Sequence, residues 1–250
     1  MRLQQLVSYL DDYLSARDPA DDRNAMNGLQ VEGLEDVRSF AVSVDACQAT
    51  IDVAAKSGAG LLIVHHGLFW RGLEPVVGSA YRRLASLVKN GVALYASHAP
   101  LDRHPEVGNN AVLARKLGVA PRGLFGDYCG APIGLWGELD MGRAELCAAV
   151  ERVLGSSVRL LGYGPERCGR VGVITGAAGS SVRHAHAAGL DTFITGEGQH
   201  WTYFDAEELG VNMLLAGHYA TETIGVKALG EHVSERFDLP WTFIDHPTGL

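Results

Sequence analysis

The chain has 250 residues, with 21 basic and 29 acidic side chains and a formal net charge of −8. With 47% apolar and 20% charged residues it can bury a sizeable core and lacks the composition of a disordered chain. The acidic balance argues against a surface built on nucleic-acid phosphates, and no apolar stretch approaches the roughly 18 residues that span a bilayer. Cys47, Cys129, Cys147 and Cys168 are far apart and form no C-x-x-C pair, which excludes a zinc ribbon or thioredoxin motif. Scattered thiols of this kind, and an opening segment that is not a secretory signal, point to the cytoplasm.

Leu3, Leu6, Val7, Leu10 and Leu14 recur at helical spacing, so the chain opens with an amphipathic helix that should stop near Pro19. From there one pattern repeats: a helical stretch, a glycine, then a short apolar strand. Gly58 precedes Leu61–Val64, Gly91 precedes Val92–Ala96, and Gly155 precedes Val158–Leu161. Gly189 precedes Thr192–Thr195, and Gly210 precedes Val211–Ala216. Continuously apolar strands alternating with helices predict an α/β fold with a largely parallel sheet. The segment Leu117–Pro132, rich in glycine and proline, suits a domain junction. Trp241–Ile244 reads as a strand that returns to the first domain. The expected division is a first domain of residues 1–124 plus about 226–250 and a second of 125–225.

The chain also repeats itself. Residues 41–67 align without a gap on 172–198, with Val42/Val173, Ala46/Ala177, Ala54/Ala185, Gly58/Gly189, Ile63/Ile194 and Gly67/Gly198 identical. A second alignment pairs Leu94–Asp102 with Leu214–Glu222, so the first half carries a longer excursion within Leu68–Asn90. Two related α/β halves are expected.

Polar residues gather at the predicted strand ends, where open α/β sheets bind ligands. His65 and His66 end one strand, and His98 and Asp102 follow the next. In the second half Glu197 aligns with His66, and His218 and Glu222 follow the last strand. Chance alone supplies about 0.4 adjacent histidine pairs and about 1.2 His-x-x-x-acid matches in a chain of this composition. The positions, not the counts, carry the argument, because the two His-x-x-x-acid elements coincide under the repeat. Simpler readings exist for each piece. His65-His66 suits one core ring and one surface ring, His218 and Glu222 an i, i+4 pair on a helix face, and Asp102 a helix cap. As a metal site, three imidazoles and two carboxylates suit two ions sharing a carboxylate, with zinc, manganese, iron, cobalt or nickel fitting these donors. His98, Glu197 and His200 would then orient ligands or move protons. Arg71, Arg82, Arg83 and Arg103 are the cations available to an anionic substrate. Phosphate-loop, dinucleotide-fold, nucleophile-elbow and H-E-x-x-H signatures are absent.

Several ordered motifs resemble a known family: Asn27-Gly-Leu-Gln-Val-Glu-Gly33, Val42-Ser-Val-Asp-Ala46, Leu61–Gly67 and Ser97–Asp102. Gly108-Asn-Asn110, Thr195–His200 and Gly217–Glu222 continue the series. Together, over essentially the whole chain, they resemble the Nif-three-like dinuclear-metal proteins, labelled type-two GTP cyclohydrolase I, in their short bacterial form. The resemblance implies metal ligands at His65, His66, Asp102, His218 and Glu222 and two divalent ions per chain. It also implies two related α/β domains with the metals in the cleft between them, and toroidal homohexamers built as trimers of dimers. The activity it suggests is metal-dependent hydrolysis of a small molecule, such as opening of a purine ring. The alternatives are a metal-stabilised binding or adaptor protein, or metal storage and delivery.

Overall fold

Helix α1, Leu3–Tyr13, buries Leu3, Leu6 and Leu10 along one stripe, as the spacing predicts. It ends well before Pro19, because Ser15 turns into the left-handed region at φ 53° and breaks the helix first. The computed structural model describes residues 1–70, 72 and 74–250. Two compact units emerge: residues 1–101 with 226–246, and residues 102–225 with 247–250.

In the first unit β1 (Gly28–Val31) is followed by β2 (Phe40–Asp45), α2 (Gln48–Lys56), β3 (Leu61–His66), α3 (Gly78–Asn90) and β4 (Ala93–Ala96). β3 pairs in parallel with β2 on one side and β4 on the other, and β1 closes one edge antiparallel to β4. The central strands are covered on both faces, so Leu61–Val64 and Ala93–Ala96 are apolar without a break and buried. Gly33 shows how tightly the chain passes this sheet. A Cβ there would lie 2.5 Å from the Ala93 nitrogen and 2.8 Å from the Gly91 oxygen.

The chain then runs through α4 (Ala99–Arg103), α5 (Asn109–Leu117), β5 (Ala120–Tyr128), β6 (Ala131–Gly142) and α6 (Arg143–Leu154). β7 (Arg159–Gly162), β8 (Arg167–Val173), α7 (Val182–Ala187), β9 (Thr192–Thr195), α8 (Thr202–Leu209) and β10 (Asn212–Leu215) complete the second unit's sheet. Its strand order is β5-β6-β8-β9-β10-β7, with β8, β9 and β10 parallel and the outer strands antiparallel. Leu117–Pro132, read from composition as a junction, is instead mostly the first strand and the turn of a hairpin. Cys129 at φ 55° and Gly130 at φ 88° form a two-residue turn whose twist matches the paired strands. The last helix, α9 (His218–Phe237), belongs to the second unit up to Gly225 and to the first from Val226. β11 (Trp241–Phe243) then pairs in parallel with β2.

The repeat is thus two copies of one frame, β2-α2-β3-α3-β4 and β8-α7-β9-α8-β10, each a three-stranded parallel core. The Gly33→Ala substitution should lower unfolding stability by about 1–3 kcal/mol, the cost of overpacking a site walled by backbone. Urea denaturation measures this, and an unchanged midpoint would mean that the Ala93 backbone gives way.

Candidate metal centre

In the first unit the ends of β3 and β4 bring three histidines together. The rings of His65 and His66 lie 4.6 Å apart, those of His65 and His98 5.0 Å, and those of His66 and His98 5.7 Å. One ring nitrogen from each falls within 4.8 Å of the other two. The pleat should send His65 and His66 to opposite faces, but the strand ends here and Gly67 turns the chain. Gly67 has no room for a side chain, because Gln30 packs against it, accepting from the Leu68 N–H at 2.8 Å.

Every ring in this group is held through Nδ1. His65 Nδ1 lies 2.9 Å from the Ser97 carbonyl oxygen, His66 Nδ1 2.9 Å from Asp45 Oδ1, and His98 Nδ1 2.7 Å from Asp21 Oδ1. A carbonyl or carboxylate oxygen only accepts, so Nδ1 carries the proton and Nε2 is the nitrogen with ligand character. Burial alone would raise the Asp21 carboxyl, but the His98 hydrogen bond and charge and the Asn27 amide outweigh it and hold it below its ordinary value. Asp21 therefore stays an acceptor. Asn27 also accepts from the His98 N–H at 2.8 Å and donates to Asp21 at 2.8 Å, which gives the Asn27–Gly33 motif its task.

In the second unit His218 opens α9 in the place that His98 takes before α4. Its Nδ1 lies 2.8 Å from Glu197 Oε1, which follows β9, and its Nε2 lies 3.2 Å from Glu222 Oε1, one helical turn on. Glu222 is buried, and Gly176, at φ 70°, lies so close that a Cβ there would overlap its Oε1. Asp102 is buried too. It accepts from Asn109 Nδ2 at 2.9 Å and from Thr175 Oγ1 at 3.2 Å, so its carboxylate is bound within a network and is no simple helix cap. Asn109 also accepts from the Gly225 N–H, and Asn110 accepts from the Thr175 N–H, each at 2.8 Å. These two buried amides account for the Gly108-Asn-Asn110 motif.

The donor set fits divalent ions: imidazoles of one tautomer and buried carboxylates, with no thiolate. The Glu222 hydrogen bond raises the His218 pKa most, burial opposes it, and Glu222 charge and Glu197 add to the rise, which reaches about 9 from 6.5. Protonated His218 therefore stabilises the metal-free fold fully below about pH 6.5, and that contribution is lost as the pH rises through about 9. Proton-detected NMR of metal-free protein should find the His218 ring titrating near 9 and moving down in Glu222→Gln. An ordinary histidine value in the wild type would mean that the carboxylates do not hold the proton.

Of the other predicted participants, Glu197 is engaged as stated and His98 joins the His65–His66 group. His200 is exposed and packs edge-on against Phe204, ring centroids 5.6 Å apart. Arg71 lies outside the described residues, and Arg103 donates to the Tyr128 carbonyl. His232 stacks on Tyr13 with ring centroids 4.1 Å apart and hydrogen-bonds Tyr9. Sequence reasoning did not single out Asp21, Asp45 or Thr175. Asp45 lay within a noticed motif, whereas Asp21 and Thr175 carry no local signal, their partners being 77 and 65 residues away.

Comparison with known proteins gives the chain a family. The family model described as Duf34/NIF3 (NGG1p interacting factor 3) matches residues 1–248. A protein of Deinococcus radiodurans named GTP cyclohydrolase 1 type 2 homolog is 42% identical over 98% of this chain and 94% of its own length. One of the same name from Pyrococcus abyssi is 44% identical over 100% of both chains. Among solved structures, the protein ybgI, described as of unknown function, is 41% identical and superposes with a TM-score of 0.92 over 100% of both chains. The chain belongs to the Duf34/NIF3 family.

Proposed function

We propose that this protein is a dinuclear metal-dependent hydrolase of a small molecule, in which His65, His66, Asp102, His218 and Glu222 hold two divalent ions such as zinc, iron or manganese. The observation that carries the reading is the anchoring of the three ligand imidazoles, His65, His66 and His218, through Nδ1, the arrangement that presents Nε2 to a metal, with His98 held in the same way. The relatives' name supports hydrolytic chemistry of the purine-opening kind. Two bound ions would supply Lewis-acid activation of water.

The chain's own residues do the rest. Asp45, Asp21 and Glu197 fix the ring planes, and Asn109 and Thr175 fix Asp102. Glu197 is half-buried beside His218 and is placed to take up or return a proton there. The same reading makes the protein cytoplasmic and its assembly a homohexamer, a trimer of dimers.

Elemental analysis of purified protein should give close to two metal ions per chain, falling sharply in His218→Ala. Asp102→Ala and Glu222→Ala should abolish turnover across a panel of nucleotides and cyclic amides. Full activity of either at saturating metal would sink the mechanism, and metal retention with no turnover anywhere on the panel would favour an adaptor. Asp45→Ala, which removes only an anchor, should weaken metal binding about 10–100-fold. Gly176→Ala should weaken it as well without removing a donor, since the new Cβ displaces the Glu222 carboxylate. Competition against a chelator reads both effects, and wild-type affinity in both variants would show that ligand orientation is not limiting.

A further inference from the structure

A cavity of about 650 Å³ opens in the first unit beside the histidines. It begins at Gly67, the residue after His66, and Trp70, Val76, Val77 and Leu84 line it. Its volume falls within the roughly 300–1,000 Å³ of small-molecule sites. Trp70 belongs both to this wall and to the histidine group. Its ring meets His98 edge to face at 4.9 Å and His66 at 5.9 Å, and its indole N–H donates to the Gly67 carbonyl at 2.8 Å. That bond fixes a flat aromatic surface at the border between cavity and imidazoles.

The cavity also has one basic side chain among its described lining residues, Arg83 from α3. The Arg83 Nε is buried, and no hydrogen-bond partner meets it among the described residues. Arg83 lines the cavity, and an oxyanion bound there would pair with its guanidinium charge. A second charged residue on the lining, Glu74, is acidic and disfavours additional negative charge. An aromatic and aliphatic wall with a single guanidinium suits a flat ring with one anionic group. A triphosphate calls for several cations, and the described lining residues supply one, Arg83.

We propose that this cavity binds a planar ring compound bearing a single anionic group, the ring against Trp70 and the anion on Arg83. The bound ring would then lie next to His66 and His98. The inference names the substrate class of the hydrolase reading above and rests on that reading for its catalytic meaning, but binding itself is testable without turnover.

Calorimetric titration of the full-length protein tests it with guanosine 5′-monophosphate, guanosine, ribose 5-phosphate, guanosine 5′-triphosphate and indole-3-carboxylate. The monophosphate or the indole carboxylate should bind one per chain, and whichever is tighter tells whether the anion is a phosphate or a carboxylate. If the monophosphate is the ligand, guanosine and ribose 5-phosphate should bind at least tenfold more weakly and the triphosphate more weakly than the monophosphate. Arg83→Gln should weaken the anionic ring at least tenfold and leave guanosine unchanged, with part of the loss recovered in Arg83→Lys. His218→Ala should leave the binding in place, which separates the cavity from anion capture by metal. No binding by either anionic ring, a triphosphate preference, or wild-type affinity in Arg83→Gln would overturn the proposal. The two readings fail separately. Normal turnover in Asp102→Ala with these titrations intact removes the hydrolase and keeps the cavity, whereas lost turnover there with an unchanged KM in Arg83→Gln does the reverse.

Discussion

The orientation of the strand-end imidazoles depends on where their Nδ1 protons go. An imidazole has two nitrogens and a freely rotating ring, and it becomes a defined ligand only when one nitrogen is tied down. Here each tie comes from a different segment: the carbonyl after β4 for His65, the end of β2 for His66, the loop before β1 for His98, and the second residue after β9, Glu197, for His218. Parallel strands make this possible, because their carboxyl ends lie side by side and their following loops converge. The rigid part of each frame is apolar and buried, and the chemistry is confined to the residues where the strands stop.

Close backbone approach is the second constraint. Gly67 gives way to the Gln30 amide and Gly176 to the Glu222 carboxylate, so two glycines mark the places where a side chain would push a polar group out of position. Buried Asp102 and Glu222 would be expensive to desolvate alone. For Asp102 the cost is offset by hydrogen bonds from Asn109 and Thr175, and for Glu222 by its pairing with His218 Nε2. Each buried carboxylate therefore comes with its own polar company.

The two halves use one frame for different ends. His98 and His218 occupy equivalent positions before a helix, yet His98 is tied to a carboxylate from a loop far upstream and His218 to one from the adjacent strand end. The helix after β4 stops at Arg103, whereas the helix after β10 continues to Phe237. The two frames share their backbone geometry and differ in their polar partners.

Much of this was legible in the residues alone. Helical spacing in α1, unbroken apolar runs in β3 and β4, and glycines after helices are local consequences of backbone geometry, and they mark the elements without any partner being known. The repeat and the clustering of histidines at strand ends followed from those marks. The hairpin within Leu117–Pro132 did not, because glycine and proline punctuate tight turns and edge strands as well as linkers. Nor did the anchors Asp21, Asp45, Asn109 and Thr175, or the cavity between Trp70 and Arg83. Each depends on segments brought together by folding, and neither periodicity nor spacing along a chain encodes which distant oxygen will meet a given nitrogen. Sequence determined the frame and the donors, and tertiary structure decided which nitrogen each donor presents.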